Sequence, residues 1–151
     1  MAFSAFHRYL DLLQLPQSVS QTITPEAQSS DYESGIVLLE SGLWRLRTAR
    51  ITPTKPGAFV ALWRRLDDGA TAPFGVDDRA VGLHVFVEEL DHFGVFQFTA
   101  AQLASLGISQ TRQAPGKRGF RVYPSWCKGL NRQAARSQKA QCLAFHDLTA
   151  R

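Results

Sequence analysis

The apolar residues of this chain come in strand-length runs and never in a long one. Trp44–Ile51 alternates, with Trp44, Leu46, Thr48 and Arg50 on one side and Arg45, Arg47, Ala49 and Ile51 on the other. Phe59–Arg65 alternates as well, with Phe59, Ala61 and Trp63 opposed to Val60 and Leu62. A period of two is the mark of a strand. Leu83–Glu88 is apolar almost throughout, which predicts a strand covered on both faces. Asp91-His92-Phe93-Gly94 turns the chain into a fourth strand, Val95–Phe98. Apolar runs such as Ile36–Leu39 and Val85–Val87 fall far short of the ~20 residues that span a bilayer, so no membrane partner is expected.

Helical spacing frames these strands. Phe3, Phe6, Leu10 and Leu13 predict an amphipathic helix over 3–14 that Pro16 stops. Residues 16–30, rich in Ser, Gln, Thr and Pro, read as a lead-in loop. Ser30 followed by Glu33 is a capping-box pattern and predicts a helix over 31–41, ended by Gly42. Thr99 with Gln102 repeats the pattern ahead of a short helix closed by Gly107. Phe120, Val122 and Tyr123 make a fifth short strand, and a last helix is expected over 130–147. This order predicts one α+β domain over residues 1–151. Its mixed five-stranded sheet would be a four-strand meander, a helix and a fifth strand, flanked by helices.

Charge is distributed unevenly. Residues 1–109 hold eight Lys/Arg against twelve Asp/Glu, whereas 110–151 hold nine Lys/Arg against Asp147 alone. A basic segment of this kind either balances the acidic part or attracts a polyanion. Cys127 and Cys142 stand outside any CxxC pattern, which predicts reduced thiols rather than a zinc site. The N-terminus has no clean apolar core for a signal peptide, so a cytoplasmic protein is expected.

Several segments, in order, resemble the MepB-like family. They are Arg50-Ile51-Thr52-Pro53-Thr54-Lys55-Pro56-Gly57-Ala58-Phe59-Val60-Ala61-Leu62-Trp63-Arg64, Ala72-Pro73-Phe74, Gly94-Val95-Phe96-Gln97-Phe98, Gly116–Trp126 and Gln133–Gln138. The resemblance spans about residues 30–146. It implies a bacterial cytosolic protein with a restriction-endonuclease-like fold and nucleic-acid affinity, without an established catalytic activity. The family is named after a protein encoded beside a multidrug efflux pump, so a link to multidrug resistance is implied too. In the last helix the family carries an aromatic beside the second Gln, where this chain has Ala140 before Gln141.

A nuclease of that fold class holds Mg²⁺ with strand acids and a Glu/Gln-x-Lys, and often a helix Glu. The matching positions here are Glu33, Asp78 and Gln97. Gln97-Phe98-Thr99 lacks the Lys, so these positions read as vestigial, with no catalytic residue, metal or cofactor assigned. Mg²⁺ enters only if the chain is instead a metal-dependent nuclease with a rearranged site.

The leading expectation is DNA or RNA binding through phosphate contacts, with little sequence preference. Its residues are Lys55, Lys117, Arg118, Arg121, Arg132, Arg136 and Lys139. Arg132, Arg136 and Lys139 recur along one helix face, and Gly116-Lys117-Arg118-Gly119 reads as an anion-binding turn. Arg121 could instead pair with an internal acid, and Tyr123 and Trp126 could stack on bases or pack in the core. A further alternative is a small-molecule or protein interaction module, with a pocket lined by Phe59, Trp63 and Phe96.

Overall fold

A computed structural model describes residues 3–26 and 32–149. Helix α1 (Ser4–Leu12) leads through a 3-10 turn to β1 (Thr24–Pro25), β2 (Gly35–Leu39), β3 (Gly42–Thr48), β4 (Arg50–Ile51) and β5 (Ala58–Ala61). The short hairpin β6 (Arg64–Arg65) and β7 (Thr71–Ala72) precedes the long strands β8 (Gly82–Glu89) and β9 (His92–Thr99). Helix α2 (Ala100–Ser105), β10 (Gly119–Val122), α3 (Arg132–Gln141) and β11 (Phe145–Asp147) complete the chain.

The fold is α+β with a mixed sheet, ordered β1-β2-β3-β8-β9-β11. Among the described residues its one parallel strand pair is β3–β8, and the connection between them supplies β4 and β5 to a second sheet, β10-β5-β4. The expected four-strand meander is therefore corrected. The predicted strand over 44–51 is split: its first part, β3, pairs with β8 in the large sheet, and only its end, β4, pairs with β5, whose other edge is taken by β10.

Both faces of the large sheet are covered, as the unbroken apolar run of β8 predicts. Leu83, Val85 and Val87 face β5 and β10 with Phe96, Phe98, Phe120 and Val122. Phe86 faces α1 with Phe6, Tyr9, Leu10, Phe93 and Val95. At about 25 cal/mol per Å² of apolar surface removed from water, these two packed layers are the main source of stability.

One expected helix is a strand, and the last expected helix is shorter than predicted. Residues 35–39 pair with 42–46 across a tight turn at Glu40-Ser41, and Glu33 sits at a left-handed φ of 46° that no helix passes through. The β-branched run Ile36-Val37 buries its side chains on the pleated surface instead. Ser30, the other half of the assumed capping box, lies outside the described residues. The last helix stops at Gln141, a 3-10 turn follows, and Phe145–Asp147 adds an edge strand to β9. The Phe145 ring finds its packing against Phe96 and Trp126, which only that strand position reaches. The capping box at Thr99–Gln102 is formed.

A candidate nucleic-acid interface

The sequence from 108 to 141 folds into a wall and a floor. The loop after α2 is zipped back onto the chain: the Gln110 N–H donates to the Phe74 carbonyl and the Lys117 N–H to that of Ile108, both at 2.8 Å. Within Gly116–Gly119 the glycines serve packing. Gly116 takes a φ of 80° against Pro73 and Gln110, and Gly119 lies under the Phe59 ring, where a Cβ would stand 2.5 Å from it. With the Lys117 N–H already donated, the turn offers its basic side chains rather than a ring of free amides.

Strand β10 would be an open edge, and α3 closes it with amide side chains. Gln141 accepts from the Tyr123 N–H and donates to the Arg121 carbonyl, each at 2.9 Å, replacing the pair of bonds that a neighbouring strand would make. Gln138 donates to the Pro124 and Cys127 carbonyls. Asn131 caps the helix, accepting from the Ala134 N–H at 2.8 Å. Between α2, β10 and α3 runs a groove of about 540 Å³. Lys117, Arg121 and Arg136 line it with Tyr123, Gln133 and Ser137, and among the described residues no carboxylate belongs to its wall.

Three of the expected phosphate-binding residues thus meet in one groove. Arg121 pairs with no acid among the described residues. Its guanidinium donates to the Pro56 carbonyl at 3.1 Å and to Thr52 Oγ1 at 2.6 Å, bolting the Pro53–Gly57 turn beside the groove. Lys55 is on that turn and exposed, and Tyr123 packs on its Gly57. Arg118 is exposed next to Lys117. Arg132 and Lys139 are exposed on α3, and Lys139 lines a smaller depression that shares Tyr123 with the groove. Trp126 is structural: it stacks on His92 with ring centroids 4.7 Å apart, and its Nε1 donates to Glu89.

The vestigial nuclease positions do not come together. Glu33 sits at the N-terminus of α1, accepting from the Ser4 N–H at 2.8 Å and from Thr48 Oγ1 at 3.0 Å. Gln97 donates to the Tyr9 hydroxyl at 2.9 Å. Burial raises the pKa of that hydroxyl, against the opposing Gln97 bond. Asp78 is taken by Arg45. Glu26 bridges Arg45 and the fully buried Arg47, whose Nε also donates to the Ala61 carbonyl. Burial works against the charge of Arg45, but Asp78 and Glu26 outweigh it and its pKa stands above the ordinary value. For Arg47 burial prevails and the pKa is pulled down. Among the described residues no three His, Cys, Asp or Glu side chains cluster as a metal site. This donor set does not fit the Mg²⁺ of a restriction-type nuclease, because its acids already hold arginines and a helix end.

The aromatics expected around a small-molecule pocket part company too. Phe96 is fully buried, Phe59 covers Gly119, and Trp63 lines a separate cleft. Cys127 and Cys142 are free thiols, and burial pushes the Cys127 pKa up. Among the described residues no helix is long and apolar enough to cross a membrane.

Sequence reasoning missed the buried Arg45–Glu26–Arg47 group and the clamp made by Gln141. The alternation of β3 was the available signal for the first, since it puts Arg45 and Arg47 on a face that the second sheet covers.

Comparison with protein-family models matches the MepB-like model over residues 26–147. Among solved structures, one described as the crystal structure of MepB superimposes with a TM-score of 0.80 at 34% identity. The match covers 83% of this chain and 84% of that one. Comparison with curated proteins returns no match.

Proposed function

This chain belongs to the MepB-like family, and from that premise we propose that its α2–β10–α3 groove binds nucleic acid through phosphates, with little sequence preference and without cleaving it. The observation that carries the reading is the meeting of Lys117, Arg121 and Arg136 in a groove with no acid among the described residues of its wall. Lys55, Arg118, Arg132 and Lys139 extend the positive field around it. Long basic side chains on a rigid platform give salt-dependent affinity by counterion release, and no base-reading constellation accompanies them. On this reading the protein works in the cytoplasm as a silent relative of restriction-type nucleases. The silence is supported by the engagement of Glu33, Asp78 and Gln97 in unrelated contacts.

Fluorescence anisotropy with labelled DNA and RNA over a salt series tests this. Affinity is expected to fall steeply with salt for every sequence. Lys117→Ala and Arg136→Ala are each expected to reduce the log–log slope by about 0.7–0.9. A flat salt response, or cleavage on adding Mg²⁺ or Mn²⁺, overturns the reading.

A further inference from the structure

The acidic part of the sequence carries a second basic surface. A cleft of about 330 Å³ is lined by Trp63, Arg64, Arg65, Phe74 and Arg79. Arg64, Arg65 and Arg79 are exposed, and none of them pairs with a carboxylate among the described residues. Arg64 spends its Nε on the Pro73 carbonyl at 3.2 Å, and Arg65 one terminal N–H on that of Gly69 at 2.6 Å. With five N–H groups per guanidinium, both keep donors for a ligand. Glu26, the one acid among the described residues of this wall, is already held by Arg45 and Arg47. Trp63 supplies an indole face, with the Arg65 guanidinium 5.1 Å from its ring centre.

Backbone and packing contacts link the cleft to the loop that borders the groove. The Leu62 N–H donates to the Arg118 carbonyl at 2.9 Å, so the chain entering Trp63-Arg64-Arg65 leaves β5 beside Lys117 and Arg118. Pro73 touches both sides: Arg64 donates to its carbonyl and Gly116 packs on its ring. Formal charge understates this surface because three acids of the same part are already engaged, Asp78 and Glu26 by buried arginines and Glu33 by α1, while Asp67, Asp68 and Asp77 stay exposed on the neighbouring loops.

We propose that the phosphate-binding strip runs from the groove past Lys117 and Arg118 into this cleft, and that it holds single-stranded nucleic acid, with phosphates on Arg64, Arg65 and Arg79 and a base against Trp63. This rests on the phosphate-binding reading of the groove. An aromatic set among arginines in a concave cleft suits an unstacked base, whereas a duplex keeps its bases stacked inside.

Anisotropy with a labelled single strand and the matched duplex decides it, on variants shown by circular dichroism to be folded. Trp63→Ala is expected to weaken single-strand binding at least about fivefold and to leave duplex binding nearly unchanged, while Trp63→Phe retains most of the affinity. The triple variant Arg64→Ala/Arg65→Ala/Arg79→Ala is expected to lower the single-strand salt slope by about 2. If these variants bind like the parent while Lys117→Ala and Arg136→Ala lose affinity, the extension is wrong and the groove reading stands. Equal or tighter duplex binding, insensitive to Trp63, also overturns it. If the parent binds neither nucleic acid, both readings fall together.

Discussion

Asp78 holds Arg45 with both carboxylate oxygens, Oδ1 at 2.6 Å from one guanidinium nitrogen and Oδ2 at 2.9 Å from another. Arg45 is 8% exposed and lies over the Phe74 ring at 3.9 Å, so this pair sits in the wall between the two sheets. Removing one member leaves a buried charge with half its compensation, which is more costly than losing a surface ion pair. Asp78→Ala is expected to destabilise the fold by on the order of 3 kcal/mol, read from denaturant unfolding. An unchanged midpoint would mean that Glu26 alone satisfies Arg45.

Glu33 acts on α1 across the chain rather than on a helix of its own. Its carboxylate accepts from the Ser4 N–H in the first turn, where both the hydrogen bond and the helix dipole favour a negative group. Glu33→Ala is expected to cost about 1–2 kcal/mol, with amide exchange rising first at Ser4 and Ala5. Exchange rising evenly over the whole chain would argue against a capping role.

Gln141 is a side chain doing the work of a strand. Gln141→Leu removes both amide bonds and strands the Tyr123 N–H and Arg121 carbonyl against an apolar group. A loss of about 1–3 kcal/mol is expected. The Tyr123 amide should lose protection ahead of its neighbours in β10, and a Tyr123 amide that stays protected would show another acceptor.

His84 sets an acid limb. It is 2% exposed, its Nδ1 has no hydrogen-bond partner among the described residues, and it lies among Tyr9, Trp44 and Phe86. Burial, aided by the charge of His146, holds its pKa down to about 3, against 6.5 for the free imidazole. Below about pH 6.5 the unfolded chain takes up a proton that the folded chain refuses. The stability contributed by neutral His84 is thus complete above that pH and is lost as pH falls toward 3, by up to about 1.4 kcal/mol per unit. His84→Leu should flatten the pH dependence of unfolding in that window; parallel curves for the two proteins would assign the limb to other groups.

Local pattern carried much of the architecture. The alternation of Phe59–Arg65, the apolar run at Leu83–Glu88 and the Thr99–Gln102 capping box each encode an element through contacts a few residues apart. The reading failed at Ile36–Leu39, because four apolar residues fit a helix face and a buried strand equally well. It failed again at Phe145, whose place is decided by Phe96 and Trp126. Within the groove, Lys117, Arg121 and Arg136 were legible as basic residues of one segment. Arg64, Arg65 and Arg79 were not, because a count of charge along the chain cannot tell an acid facing water from one that faces a buried arginine.

The order of residues alone settles the apolar periods, the capped helix, the family segments and the basic C-terminal stretch, since each depends on neighbours close in the chain. Tertiary structure alone decides that β3 and β8 run parallel, that Asp78 and Glu26 are consumed by Arg45 and Arg47, and that Arg121 and Arg136 share a groove. Those relations join residues well separated along the chain. Electrostatic and packing energies depend on distance through space, which the linear sequence does not specify.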